Sequence, residues 1–140
     1  MASEIKILKE AIQTNLKVSN KAQLFSILAK PLVEYKCVRE EFSQKVLERE
    51  EKFPTGLPLN DVGVAIPHTD PKYVLSNAIS LGVLDNPLTF RVMASPEQSV
   101  NVKIIFLLAL NDAEKHLEIL KKIITIIQDG KALLKLLNGN

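Results

Sequence analysis

Two stretches of the chain are predominantly apolar, one of them at every position. VGVAI, at 62–66, is apolar at every position. Such a run predicts a strand buried on both faces, inside a sheet covered by helices on each side. VNVKIIFLLAL, at 100–110, is the longest apolar run. Its length would also suit a buried helix, but the β-branched residues at its start and the cap signal after it decide for a central strand. AISLGVL at 78–84 reads as another buried strand, and LTFRV at 88–92 alternates like a half-exposed one. Asn86-Pro87 marks a turn between them, and Ser95-Pro96-Glu97 a loop after them.

Helical spacing fills the intervals. Ser19 or Asn20 caps a helix with Leu24, Ile27 and Leu28 on one face and Phe25 beside it, stopped by Pro31. A second helix runs from Cys37 or Val38 to about residue 51, with Val38, Phe42 and Val46 as its apolar stripe. Arg49 continues that stripe at the next step, while Glu48, Glu50 and Glu51 point elsewhere. Asn111 and Glu114 resemble a capping box that opens a helix over 112–128, stopped at Gly130. A closing helix spans 131–137. Residues 4–18 fit neither period and read as one or two short strands or an irregular arm.

This order places three side chains of chemical interest. His68 follows VGVAI directly, because Pro67 removes a backbone donor and ends the strand there. Open α/β sheets keep their chemistry at such strand ends. Thr69 and Asp70 are good N-caps and Pro71 suits a first helical position, so His68 is expected beside a helical turn whose N–H groups can hold an anion. The alternative is a histidine that merely caps a turn. His116 lies on the apolar face of the 112–128 helix, shortly after the second central strand. A lone histidine there is ordinarily a satisfied core residue, but parallel neighbouring strands would bring both rings to one sheet edge. Arg49, on an inward face, needs a partner for its charge. Either its stem packs and its head reaches water, or its guanidinium is aimed at an anion.

Composition narrows the chemistry. The chain has 140 residues, 46% hydrophobic and 24% charged, with a net charge of +2. That suits a single domain over 1–140 and gives no case for nucleic acid. No stretch reaches transmembrane length, and MASEIKILKE lacks the apolar core of a signal peptide, so a cytoplasmic address without direct membrane insertion is expected. The single cysteine, Cys37, excludes an internal disulfide and a cysteine-based zinc cluster. Two histidines without a placed carboxylate are a poor metal set, so no metal and no cofactor are expected. Neither a phosphate-cradling glycine loop nor a GxSxG elbow is present. Phosphoryl transfer through histidine remains. A neutral imidazole, with a reference pKa of roughly 6.5, is a competent nucleophile. It accepts a phosphoryl group from one donor and passes it to another acceptor. The transferring group needs stabilisation of its equatorial oxygens. Arg49, the His116 ring, backbone N–H groups near Thr69 and Asp70, and the Thr55 hydroxyl are the candidates to supply it.

The segment LEREEKFPTGLPLNDVGVAIPH resembles the enzyme IIA component of the sugar phosphotransferase system, of the fructose/mannitol (type 2) superfamily. The resemblance continues through NVKIIFLLALNDAEKHLEILKKI and covers about 21–128. The combination of a helical RE pair, PTG, AIPH and a downstream HL carries it. EKFPTGL, with its longer loop before the strand, looks most like the galactitol-type branch. The resemblance implies a three-layer α/β/α sandwich with a mixed, mostly parallel central sheet. It implies that His68 is phosphorylated at its outer ring nitrogen, that His116 assists it, and that Arg49 approaches the phosphoryl group. Thr55 and Gly56 match the active-site loop. The acidic neighbour of mannitol-type members has no clear counterpart, and only Asp61 can stand in for it. The implied donor is phospho-HPr and the implied acceptor a cysteine of a cognate IIB protein on a separate chain, which serves the membrane subunit IIC. Leu57, Leu59 and Ile66 are candidates for an apolar rim, with packing the expected role of Ile66. Two other readings stand beside the transport one. One is a phosphorylation-dependent regulatory module that binds a partner. The other is a structural interaction domain, which would have no use for all three of His68, His116 and Arg49.

Overall fold

The structure, a computed structural model, describes residues 9–59, 62–111, 118–119, 121–122 and 125. A 3-10 turn at Lys9–Ala11 leads into β1 (Ile12–Leu16), followed by α1 (Lys21–Glu34), α2 (Phe42–Lys52), β2 (Gly56–Leu59) and β3 (Val62–Ala65). A second 3-10 turn at Pro71–Tyr73 precedes β4 (Ala78–Val92) and β5 (Ser95–Ala109). The strands form one mixed five-stranded sheet. The β1–β4, β2–β4 and β3–β5 pairs are parallel, and β2–β3 and β4–β5 are antiparallel.

Both faces of the sheet are covered, as an α/β/α sandwich requires. Side chains alternate across β3 and β5. Ala65, Ile105, Leu107 and Ala109 face one core, with Leu24, Phe25 and Leu28 of α1 and Phe42 and Val46 of α2. Val64, Ile66, Ile104, Phe106 and Leu108 face a second core that contains Ile119. Glu118, Ile119, Lys121, Lys122 and Thr125 are helical, and the Thr125 hydroxyl donates to the Lys121 carbonyl one turn back. The rest of the expected 112–128 helix, including Glu114 and His116, lies outside the described residues. So do the 131–137 helix, Asp61 and residues 1–8.

The expected cap of α1 forms on Asn20, whose Oδ1 accepts from Gln23 N at 2.8 Å, while Gln23 Oε1 accepts from Ser19 N at 2.8 Å. Pro31 does not stop this helix, which continues to Glu34. Proline within a helix deprives the carbonyl four residues back of its N–H partner. Here that carbonyl is Ile27 O, and Gln13 Nε2 of β1 donates to it at 3.2 Å. A tertiary contact thus replaces the bond that the local sequence removes.

The second helix begins at Phe42, later than its apolar pattern suggests. Cys37 lies in a bend and Val38 in an isolated bridge instead. Val38 bridges Val74, and Leu75 N and Ser76 N both donate to Cys37 O. The stripe of α2 also continues differently. Phe42 and Val46 are followed by Glu50, which is 4% exposed, and Arg49 is exposed.

Residues 56–59, GLPL, whose glycine and proline suggest a loop, form β2, paired along its length with β3. Gly56 and Gly63 are required by close backbone approaches. A Cβ on Gly56 would lie 2.6 Å from Arg91 O, and one on Gly63 would overlap Asn101 O of β5. Asn86-Pro87 is not a turn. It lies within β4, where the ladder to β5 is irregular between Val83 and Leu88 and a proline without an N–H is tolerated. The reversal occurs at Met93-Ala94, with Ala94 at φ 67°. Ser95 already pairs with Val92, so Ser95 opens β5; the register jumps from there to Arg91–Ser99, and Pro96, Glu97 and Gln98 form the bulge.

Candidate functional site

β3 and β5 run parallel, with Val64 beside Ile104 and Ala65 beside Ile105. Leu108 N extends the pairing by donating to Pro67 O at 3.0 Å. The chain therefore leaves both strands at the same sheet edge, at His68 and at Asn111. Asn77, just before β4, joins this edge by accepting from Asn111 N through Oδ1 at 2.9 Å. The topological premise for bringing two histidines together is present; the position of His116 is outside the described residues.

His68 is half-buried. Its Nδ1 lies 2.9 Å from Ile66 O. A carbonyl can only accept, so Nδ1 carries the proton and the lone pair of the neutral ring is on Nε2. Burial pushes the imidazole pKa below its usual value. The bond to Ile66 opposes this, and the Arg49 charge adds to it. The ring is thus neutral and nucleophilic near pH 7.

Arg49 stacks its guanidinium over the Phe53 ring, 5.0 Å from the centroid. Phe53 is the most exposed large apolar side chain among the described residues, at 59%. Both line an open depression of about 230 Å³, with Lys45, Lys52, Thr69 and Tyr73. Its cations outnumber Glu48, the one carboxylate on its wall, which pairs with Lys45 at 3.6 Å. Thr69 is buried, and its hydroxyl donates to Lys45 O at 3.4 Å. The segment after His68 is a single 3-10 turn, and Asp70 Oδ1 takes its Lys72 amide at 3.2 Å. This amide therefore serves the turn itself.

Thr55 occupies the interior. It is 3% exposed, and its hydroxyl donates to Glu50 Oε1 at 2.8 Å while accepting from Ile66 N at 3.2 Å. Its own N–H donates to Glu50 Oε2 at 2.8 Å. The hydroxyl proton is committed to Glu50 and not directed at the open depression. Burial pushes the Glu50 pKa up to about 6, against the lowering effect of the two Thr55 bonds and of Lys21. Sequence reasoning missed Glu50. Its signal is the spacing 42, 46, 50, a strict i, i+4, i+8 row that ends in a carboxylate. Of the expected rim, Leu57 is half-exposed and Ile66 is packed in the second core. The side chain of Leu59 is outside the described residues.

A half-buried neutral histidine with its proton on Nδ1, next in sequence to Thr69 on the wall of a cationic depression, is chemically able to accept a phosphoryl group. The family model for "Phosphoenolpyruvate-dependent sugar phosphotransferase system, EIIA 2" matches residues 6–140. The chain belongs to this family, whose members transfer phosphoryl groups between proteins. It is 23% identical over 110 residues to the galactitol-specific EIIA component of Escherichia coli K12, covering 79% of this chain and 73% of that one.

Solved structures agree on the fold. The mannitol-specific cryptic enzyme IIA CmtB of E. coli superposes with a TM-score of 0.74 at 18% identity, covering 94% of this chain and 86% of that one. The enzyme IIA of the E. coli mannitol IIA–phosphorylated IIB complex gives 0.68 at 18% identity, covering 96% and 100%. The nitrogen regulatory protein IIA-Ntr of Neisseria meningitidis gives 0.68 at 22% identity, covering 94% and 87%. Among the described residues no helix is long and apolar enough to cross a membrane.

Proposed function

We propose that residues 1–140 work as one cytoplasmic phosphocarrier domain with His68 as the phosphorylated residue. The observation that carries this reading is the Nδ1–Ile66 contact of 2.9 Å, which leaves Nε2 as the nucleophilic nitrogen. In the first step the Nε2 lone pair forms a bond to phosphorus while the phosphorus–nitrogen bond of phospho-HPr breaks, its electron pair returning to the HPr imidazole. In the second step a cysteine thiolate of the cognate IIB attacks phosphorus, and the bond to Nε2 breaks. The restored ring keeps its Nδ1 proton throughout, so neither step requires proton transfer at His68.

Arg49 supplies positive charge to the equatorial oxygens, and His116 is assigned the assisting role that the family resemblance gives it. Thr69 stands at the depression as a secondary polar contact. Thr55 acts from inside, through Ile66, and not on the phosphoryl group. The similarity to the galactitol-specific component supports delivery, through IIB and the membrane subunit IIC, to uptake of a sugar alcohol such as galactitol.

The direct test is incubation with HPr and its phosphoryl source. Wild-type protein gains one acid-labile phosphate, and His68→Ala gains none. Full labelling of that variant would remove His68 from the role. A second reading, a phosphorylation-dependent regulator that binds a partner, is favoured by the likeness to IIA-Ntr. Rapid onward transfer to a cognate IIB supports the carrier; stable phosphoprotein in the presence of every IIB supports the regulator.

A further inference from the structure

The Arg49–Glu50 pair sends its two side chains to different places. Arg49 is exposed at the depression, and Glu50 is buried. A buried carboxylate is costly unless its oxygens are satisfied. Each Glu50 oxygen accepts one bond at 2.8 Å, and both come from Thr55. Because the Thr55 hydroxyl must donate to the carboxylate, its remaining acceptor capacity faces the Ile66 N–H, 3.2 Å away. The same Ile66 N–H also approaches Thr55 O at 3.4 Å. The other side of residue 66, its carbonyl, accepts from His68 Nδ1. One continuous path thus joins the carboxylate on α2 to the imidazole at the end of β3.

We infer that Glu50 is a positioning residue for phosphoryl transfer, acting through Thr55 and Ile66 to hold His68 in its Nδ1–H tautomer with Nε2 turned to the incoming phosphorus. This rests on the reading of His68 as the phosphorylated residue. Polarity runs one way along the path. An ionised Glu50 can only accept, so it orients the Thr55 hydroxyl, which holds the Ile66 N–H and so anchors residue 66, whose carbonyl, in the next peptide unit, receives the His68 proton. Burial raises the Glu50 pKa only to about 6, so the carboxylate is mostly ionised at pH 7. An amide at position 50 would break this order. Its oxygen could take the Thr55 N–H, but its NH2 would face the hydroxyl as a second donor and turn the hydroxyl proton away from its partner.

The test uses the full chain with Glu50→Gln, Thr55→Val and Thr55→Ser, each checked for folding by its amide spectrum. Two readouts are taken: the ring-nitrogen shifts of His68, which report its tautomer, and the kcat and KM for transfer from phospho-HPr. Wild type and Thr55→Ser are expected to hold the Nδ1–H form and to transfer equally. Glu50→Gln and Thr55→Val are expected to show mixed tautomers and a kcat lower by about tenfold or more, the effect of losing a buried hydrogen bond, with KM unchanged. If Glu50→Gln does not fold, the Thr55→Val and Thr55→Ser pair decides. A pure Nδ1–H tautomer and wild-type kcat in Thr55→Val would overturn the inference. A wild-type protein that holds the tautomer but takes no phosphate at His68 would instead overturn the functional reading.

Discussion

His68 donates from Nδ1 to the carbonyl of Ile66, two residues before it, at 2.9 Å. The intervening residue is Pro67, whose fixed φ narrows the paths by which the ring can fold back. The AIPH sequence is therefore a local device. Ile66 anchors in the second core, Pro67 directs the chain, and His68 receives both a tautomer and an orientation from the strand that delivers it.

Burial first and the charge of Arg49 second depress the His68 pKa, against the raising effect of the Ile66 bond, so the neutral nucleophile persists below the pH at which a free imidazole would protonate. The acid limb of phosphate acceptance is expected below pH 6.5, the ordinary imidazole value. Replacing Arg49 by Gln removes one lowering influence. An NMR titration should show the His68 pKa rising in that variant, together with slower transfer.

Glu50 gives the opposite sign. Its folded pKa of about 6 lies above the ordinary 4.5, so the native state binds this proton more tightly than the unfolded chain does. Its protonated form favours folding fully below pH 4.5, and that stability is lost as pH rises to about 6. The shift corresponds to on the order of 2 kcal/mol. Urea denaturation of wild type and Glu50→Gln across this window should show the wild type losing stability relative to the variant as pH rises. A constant difference would contradict the assignment.

Gln13 and Pro31 form a second testable pair. Gln13→Ala is expected to cost about 1 kcal/mol, because it leaves the Ile27 carbonyl without the donor that Pro31 denies it. In a Pro31→Ala background the helix supplies that donor, and the cost should shrink. A double-mutant cycle in urea measures the coupling.

Gly63→Ala is expected to destabilise by about 1–3 kcal/mol, since the new methyl meets the Asn101 backbone carbonyl and not a yielding side chain. The strain falls on the β3–β5 pairing that delivers His68, so phosphate acceptance should fall along with the urea midpoint.

These residues also explain what was legible in the chain. VGVAI and 104–110 announced themselves because burial on both faces leaves no polar position, and their parallel pairing places the His68 edge where the sequence suggested. Pro31 misled because the hydrogen bond it removes is replaced by Gln13, from a different element. Asn86-Pro87 misled because a ladder irregularity tolerates what a regular strand would not. Glu50 was passed over because its partner Thr55 comes from the turn beyond the helix end, which a helical pattern does not show, and its neighbour Arg49 took the expected inward role. β2 was hidden by Gly56 and Pro58, of which Gly56 serves a close approach to the Arg91 carbonyl.

The most direct measurement is a phosphorus–nitrogen coupling experiment on protein labelled with 15N-histidine after phosphorylation by phospho-HPr. The account predicts one phosphorus coupled to Nε2 of His68, with the Nδ1 proton retained. Coupling to Nδ1, or phosphate on any other residue, would contradict it.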